Sequence, residues 1–309
     1  MITIRNGGIP MKGMITNIQR FSLTDGDGIR TTVFFKGCNM RCSWCHNPET
    51  IERARQLMLY ESRCIDCGKC FAACPTGAQR MNDGKHVIDR ALCVNCGRCA
   101  EVCYAEALVM CGEEMSLDDV MYQIRQDKAY YESSGGGVTL SGGEVLCQRE
   151  FAEALADACH AENIGVAVET NLCFSFEQAR ELLSKVDLVM CDLKIFDDAA
   201  HKEHTGVSNK SILENIARLD ELGIPVIVRT PLIPGVTDSA DNIRAIAEYI
   251  KDMKNLFRYE LLNFNPLGEG KYKALNADNP FESARPFGED RLSELRTLLN
   301  EIGIPYKIV

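Results

Sequence analysis

The chain has 309 residues, 46% of them hydrophobic and 25% charged, a balance that suits a globular protein with one large core plus an insert, or two domains. A net charge of −10 argues against a nucleic-acid surface, which needs a basic stripe. Sixteen cysteines could belong to a secreted disulfide scaffold, but Met1–Gly8 carries no apolar leader, and no apolar run reaches the ~20 residues that cross a bilayer. The expectation is a cytoplasmic, reduced, anaerobic protein that touches neither nucleic acid nor membrane and acts as a monomer.

In chain order, Met11 to Arg20 reads as a short lead-in. Thr24-Asp25-Gly26-Asp27-Gly28-Ile29-Arg30 is a Gly/Asp turn before the strand-like Thr31–Phe35. That strand delivers Gly37 into Cys38-Asn39-Met40-Arg41-Cys42-Ser43-Trp44-Cys45. Three thiolates so spaced can hold one face of an iron–sulfur cubane, whose full ligation takes four cysteines. No fourth cysteine follows before Cys64, so one iron is left open, and an open position is what separates a catalytic metal site from a sealed one. The competing reading is a zinc knuckle completed by His46. It is awkward because His46 follows Cys45 directly.

Residues 51–112 form a different block. Cys64-x-x-Cys67-x-x-Cys70-x-x-x-Cys74-Pro75 is the bacterial ferredoxin run, and it repeats as Cys93-x-x-Cys96-x-x-Cys99-x-x-x-Cys103. A hairpin-like segment at Asn82–Lys85 separates the two. In two-cluster ferredoxins the fourth cysteine of each run ligates the other cluster. That assigns Cys64, Cys67, Cys70 and Cys103 to one cluster, and Cys93, Cys96, Cys99 and Cys74 to the other. Tyr104 stands where the second run would have its proline, and Cys111 is an alternative to Cys103.

Beyond Cys111 helices and strands alternate. Helical periodicity runs over Asp118–Tyr131, and Val138–Leu140 is a short strand between glycine clusters. Helices 150–163, 176–185, 210–222, 240–253 and 289–302 precede strands at 165–170, 187–194, 225–230, 259–264 and 306–308. Such alternation implies βαβ units around a parallel sheet that can close partly into a barrel. Glu144, Glu169, Thr170, Asp192, Lys194, Arg229, Asn263 and Asn265 recur at strand ends and would converge on the barrel mouth beside the cysteine loop. Cys147, Cys159, Cys173 and Cys191 lack ligand spacing and read as small buried hydrophobes.

The cluster motif, the paired ferredoxin runs, Gly135–Glu144, Asp192-Leu193-Lys194 and Leu262–Gly268 together resemble the glycyl-radical enzyme activating enzymes of the radical S-adenosylmethionine (SAM) superfamily. The resemblance implies a partial (β/α)6 TIM-like barrel with an inserted two-cluster ferredoxin-like domain, divided at 13–50, 51–112 and 113–309. It implies that Cys38, Cys42 and Cys45 hold the SAM-binding 4Fe-4S cluster, for three clusters in all, and that Trp44 lies against the adenine. Gly142, Gly143 and Glu144 would meet the SAM amino group. Asp192 and Lys194 would line the SAM pocket, and Arg229 would contact the nucleoside or carboxylate. His46, Thr170, Leu193 and Asn265 complete the implied cofactor-binding set. Glu169, Thr170, Met190 and Asp192 match positions that build a monovalent-cation site in relatives. Asp27 replaces the usual proline of the Asp-Gly-Pro-Gly turn, Val145 the proline after Gly-Gly-Glu, and Asn265 a histidine.

The implied activity is hydrogen abstraction from a backbone glycine of a partner glycyl-radical enzyme, with SAM consumed. The partner presents a C-terminal glycine loop, and a flavodoxin- or ferredoxin-type protein supplies electrons. A radical SAM enzyme acting on a small molecule and a non-catalytic electron carrier are the competing readings.

Overall fold

The computed structural model describes residues 11–309, so the leader-free reading of Met1–Gly8 lies outside the described residues. Thirteen strands are formed among them. They are β1 Lys12–Ser22, β2 Arg30–Phe35, β3 Gln56–Leu59, β4 Gln79–Asn82, β5 Lys85–Ile88, β6 Leu108–Cys111 and β7 Glu113–Ser116. After them come β8 Gly137–Gly142, β9 Gly165–Thr170, β10 Leu188–Asp192, β11 Val226–Leu232, β12 Leu256–Asn263 and β13 Tyr306–Ile308. Nine of them form one sheet in the order β13-β12-β11-β10-β9-β8-β2-β1-β7. From β2 to β13 every neighbouring pair is parallel. The six strands β2 and β8 to β12 are the partial (β/α)6 barrel, and the short β13 extends it.

Burial explains the strand sequences. β8, Gly-Val-Thr-Leu-Ser-Gly, is covered almost throughout, as parallel strands with helices on one face and a filled interior must be. The helix Arg149–Ala161 buries Phe151, Ala152, Leu155, Ala156 and Cys159, spaced three and four apart, against the sheet. Capping boxes at Ser116/Asp119 and Ser175/Gln178 satisfy the exposed N–H groups that open two other helices.

Three features depart from the sequence reading. The lead-in is a full strand, β1, antiparallel to both β2 and β7, which leaves β7 at the edge of the sheet. The periodic stretch 118–131 is two helices, Leu117–Arg125 and Lys128–Ser134. They break at Asp127, which leaves helical geometry (φ −106°, ψ 5°) so that its carboxylate can be buried accepting from Arg20 Nε and Thr31 Oγ1, each at 2.8 Å. Two further helices, Asp198–Thr205 and Glu269–Leu275, show no clear apolar period because each buries only two residues, His201 and Thr205 or Tyr272 and Ala274.

Residues 56–111 pair among themselves. β3 runs antiparallel to β6 and closes the insert at its base, while β4 and β5 form the hairpin between the cysteine runs. Each run carries a short helix, Lys69–Ala73 or Arg98–Glu101. The equivalent Asp66 and Asn95 both sit at φ 52°, so the sequence repeat is also a backbone repeat. A separate apolar cluster of Leu57, Leu59, Ile88, Ala107 and Leu108 holds this lobe together.

Candidate active site and cluster cavities

The cysteine loop leaves the C-terminal end of β2 and is fixed by backbone contacts on several sides. Gly37 N–H donates to Thr50 and Cys38 N–H to Ile51, while Arg41 and Ser43 donate to Thr205 and His204. Gly143 N–H donates to Phe35 and Glu144 N–H to Gly37, which ties the end of β8 to the same loop. This close approach is why glycines stand there. A Cβ on Gly142 would lie 2.4 Å from both Phe35 N and Phe35 O, at a φ of +113°. A Cβ on Gly143 would lie 2.4 Å from Gly37 O.

Glu144 is buried behind the loop. It accepts from Leu146 N at 3.0 Å, Thr170 Oγ1 at 2.9 Å and Asn171 N at 2.7 Å. Burial pushes its carboxyl up to about 7, against the pull of the Asn171 and Leu146 N–H groups. Asn171 in turn donates through Nδ2 to Asn39 Oδ1 at 2.9 Å and faces Cys38 Sγ at 3.9 Å. Burial pushes the Cys38 and Cys45 thiols up to about 12. A bound metal has to offset that cost, because the ligand is the thiolate.

Register on the sheet aligns the remaining polar groups. Met190 lies beside Glu169, and Asp192 beside Arg229. Lys194 pairs with Asp192 at 2.5 Å and faces the Cys42 sulfur. Burial works against the Lys194 charge, yet Asp192 and Cys42 hold it above its usual value. Arg229 is clamped between Glu169 and Glu260, the latter at 2.8 Å from its Nε. Burial opposes the Arg229 charge as well, and the two carboxylates hold it raised. Glu169 also accepts from Ser141 Oγ. Arg258 donates to the other Glu260 oxygen at 2.7 Å and pairs with Asp27 at 3.1 Å, so the acidic residue in the turn has a partner of its own.

The other expected residues have more varied surroundings. The Leu193 side chain is in the main hydrophobic core, because β10 alternates faces; only its neighbours Asp192 and Lys194 face the mouth. His46 is turned against Gly268, and its carbonyl faces Lys271. Trp44 packs with Ile195 and Ile233 in a satellite apolar cluster at the mouth. Asn265 is exposed and caps the turn Pro266–Gly268 through Leu267 N. Met190 shares a small interior cluster with Ala167 and Ile227. Cys159 and Cys191 are buried as expected, but Cys147 and Cys173 are only half-buried.

Glu260, Ser141 and Asn171 hold these polar groups in place and were not singled out in the sequence. Glu260 sits mid-strand in Tyr259-Glu260-Leu261, and a carboxylate inside an apolar strand was the available signal.

The insert holds a cavity of about 300 Å³ lined by Cys64, Cys67, Cys70 and Cys103 together with Phe71 and His86. Four sulfurs around one apolar cavity are a soft donor set that fits a 4Fe-4S cluster. On the other side, the Cys99 thiol is flanked by Cys74 and Cys93 and is pushed up to about 11 by burial. Each run therefore contributes its last cysteine to the other run's set. Cys111 reaches neither group; it pairs across β3 with Gln56 and packs on Met58 and Ala274 near Lys36 and Glu49.

Comparison with known proteins agrees with this arrangement. The radical SAM superfamily profile matches residues 94–250, and a 4Fe-4S dicluster domain profile matches residues 59–110. A radical SAM methyltransferase of Sphaerobacter thermophilus shares the fold, with a TM-score of 0.53 over 96% of this chain and 76% of that one, at 16% identity. The chain is thus a radical SAM enzyme carrying iron–sulfur clusters in addition to a SAM site. The choline trimethylamine-lyase activating enzyme of Oleidesulfovibrio alaskensis is 39% identical over 97% of this chain and 99% of that one. The benzylsuccinate synthase activating enzyme of Thauera aromatica is 43% identical over 87% and 83%. The chain belongs to the family of glycyl-radical enzyme activating enzymes. Its activity is reductive cleavage of SAM to methionine and a 5′-deoxyadenosyl radical, which generates the glycyl radical of a partner enzyme. No helix among the described residues is long and apolar enough to cross a membrane.

Proposed function

We propose that Cys38, Cys42 and Cys45 hold the SAM-binding cluster and that the insert, residues 51–112, holds two more. One takes Cys64, Cys67, Cys70 and Cys103, and the other Cys93, Cys96, Cys99 and Cys74. The observation that carries this partition is the cavity ringed by the first set, with Cys103 rather than Cys111 as its fourth member. Soft thiolate donors at every position suit iron–sulfur chemistry.

The mouth residues orient SAM and shield the radical; no proton-transfer group is needed, since the cofactor carries the chemistry. Gly142 and Gly143 let the β8 end approach closely and present backbone to the SAM amino group. Glu144, already held by three donors, fixes the Thr170–Asn171 corner behind it. Asp192 and Lys194 line the pocket beside Cys42. Trp44 and its apolar neighbours form a wall for the adenine. A monovalent cation near Glu169, Thr170, Met190 and Asp192 would have to draw Glu169 away from Arg229. Its binding would then free the guanidinium for the nucleoside or carboxylate.

The partner is a glycyl-radical enzyme that offers its glycine loop to the barrel mouth. A flavodoxin- or ferredoxin-type protein delivers electrons through the insert, whose clusters relay them inward. The protein works as a cytoplasmic monomer.

The test is anaerobic reconstitution followed by iron analysis and electron paramagnetic resonance (EPR). About twelve irons per chain are expected. Cys103→Ala should lose roughly a third of them, while Cys111→Ala should lose none. Mixed with SAM, reductant and its partner, the wild type should raise a glycyl doublet that Cys42→Ala does not. Full iron in Cys103→Ala, with loss in Cys111→Ala, would overturn the partition.

A further inference from the structure

The insert contains a polar chain that the cysteine pattern does not require. Gln79, at the start of β4, and His86, on β5, are each only 5% exposed although the hairpin that carries them is mostly at the surface. Gln79 Nε2 donates to Cys99 Sγ at 3.3 Å. His86 Nε2 lies 2.7 Å from Gln79 Oε1, an oxygen that can only accept, so the ring carries its proton on Nε2. The same ring faces the other cysteine set, with Nδ1 3.8 Å from Cys64 Sγ and Nε2 3.8 Å from Cys70 Sγ. Phe71 packs on the ring at 5.1 Å between centroids and holds it in this plane. The line Cys64/Cys70–His86–Gln79–Cys99 thus spans from one cysteine set to the other.

The two ends are unequal. Both sets receive backbone N–H groups, Cys74 from Ala78 at 3.2 Å and Cys64 and Cys70 from Asp66 and Phe71. The Cys99 set adds the buried Gln79 side-chain N–H at 3.3 Å, whereas the His86 nitrogens stand 3.8 Å from Cys64 and Cys70. Hydrogen bonds to the sulfurs stabilise the more negative, reduced cluster and so raise its potential. Position adds a direction. Cys93, of the Cys99 set, lines a cleft shared with Arg41, Pro48, Ile51 and Glu52 next to the catalytic loop. The Cys64 cavity is lined only by residues 64 to 108 of the insert itself.

We propose that Gln79, positioned by His86, sets the potential of the cluster held by Cys93, Cys96, Cys99 and Cys74 above that of its neighbour and so orders electron flow through the insert. This rests on the relay reading given above. One electron from the flavodoxin- or ferredoxin-type donor reduces the Cys64-side cluster and oxidises that donor. The same electron then passes to the Cys99 side, returning the first cluster to its oxidised state, and moves on toward Cys38–Cys45. No proton or bond changes hands.

The experiment is an EPR-monitored redox titration of the reconstituted full chain, comparing wild type with Gln79→Met and His86→Phe. The Cys99-side signal is assigned in a Cys67→Ser variant, which alters only the other set. In Gln79→Met, at the wild-type midpoint, the reduced-to-oxidised ratio of that cluster should fall roughly tenfold, about 59 mV for a one-electron couple. The Cys64-side signal should barely move. His86→Phe, which unseats the amide, should shift the same signal by less. Should Gln79→Met take up iron poorly, Gln79→Asn decides, because its shorter arm withdraws the donor while keeping the site polar. An unshifted Cys99-side signal, or an equal shift of both signals, overturns the proposal. The rate of SAM cleavage with a flavodoxin donor reports separately on the relay. A shifted potential with an unchanged rate removes the relay and the ordering built on it but keeps the bridge. An unshifted potential with a slowed rate removes the bridge and the ordering but leaves the relay standing.

Discussion

Glu260→Ala tests whether the Arg229 clamp is what the geometry says it is. Glu260 is 2% exposed, and its two oxygens accept from Arg229 Nε at 2.8 Å and Arg258 Nε at 2.7 Å. Removing the carboxylate leaves Arg229, itself 6% exposed, with Glu169 as its remaining counter-charge. Breaking a buried pair by deleting one partner costs about 3–5 kcal/mol. Because Arg229 keeps Glu169, the lower end, about 3 kcal/mol, is expected. Arg258 adds less, since it keeps Asp27 at 3.1 Å and its own side chain is less buried than that of Arg229. Such a loss is a large fraction of the roughly 5–15 kcal/mol that holds a domain folded. The assay is anaerobic urea unfolding at matched iron content, followed by circular dichroism, together with SAM binding. Glu260→Ala should lower the urea midpoint and weaken SAM binding roughly tenfold, because the guanidinium is no longer aimed. Glu260→Gln should fall between. In an Arg229→Met background the same change should cost about 1 kcal/mol or less, since no buried cation is then left unpaired. A Glu260→Ala cost below about 1 kcal/mol, or the same cost in both backgrounds, would refute the reasoning.

Gly143→Ala places a methyl 2.4 Å from Gly37 O and 2.8 Å from Thr50 O, backbone atoms that cannot yield without moving the catalytic loop. SAM cleavage should drop at least a hundredfold while the EPR signals of the insert persist; retention of full activity would contradict the placement. Asp127 carries the pH prediction. Its hydrogen bond from Arg20 holds its carboxyl below the ordinary value, with burial opposing and Thr31 helping. A depressed carboxylate contributes stability that is complete above its unfolded value, near 3.8, and is lost as pH falls through the lower folded value. Asp127→Asn should therefore be less stable than wild type at pH 6, with the gap narrowing below pH 4 in acid-unfolding curves. A gap that widens on acidification would reverse the sign argued here.

The cysteine chemistry was legible in the sequence because ligand spacing is local. Three or four thiols within a dozen residues must lie close together whatever surrounds them, so the triad and both ferredoxin runs could be read without a fold. The βαβ alternation was legible too, since strand and helix periods are local and parallel neighbours then require crossovers. Strand-end polarity picked out Glu144, Asp192, Lys194 and Arg229 for the same reason. Other assignments needed the tertiary structure. Leu193 sits between two site residues in sequence but faces the core, because the pleat turns it over. Cys111 lies eight residues past Cys103, yet the β3–β6 pairing carries it away from the cavity. Glu260, Gln79 and His86 gave no local signal strong enough to name them. Their partners are 31, 20 and 16 to 22 residues away in sequence, and only the packed sheet and the folded hairpin bring them together. Spacing determined which thiols must lie close together. Long-range packing decided which sulfurs share a cavity, which carboxylates clamp Arg229, and which buried donors sit between the two cysteine sets.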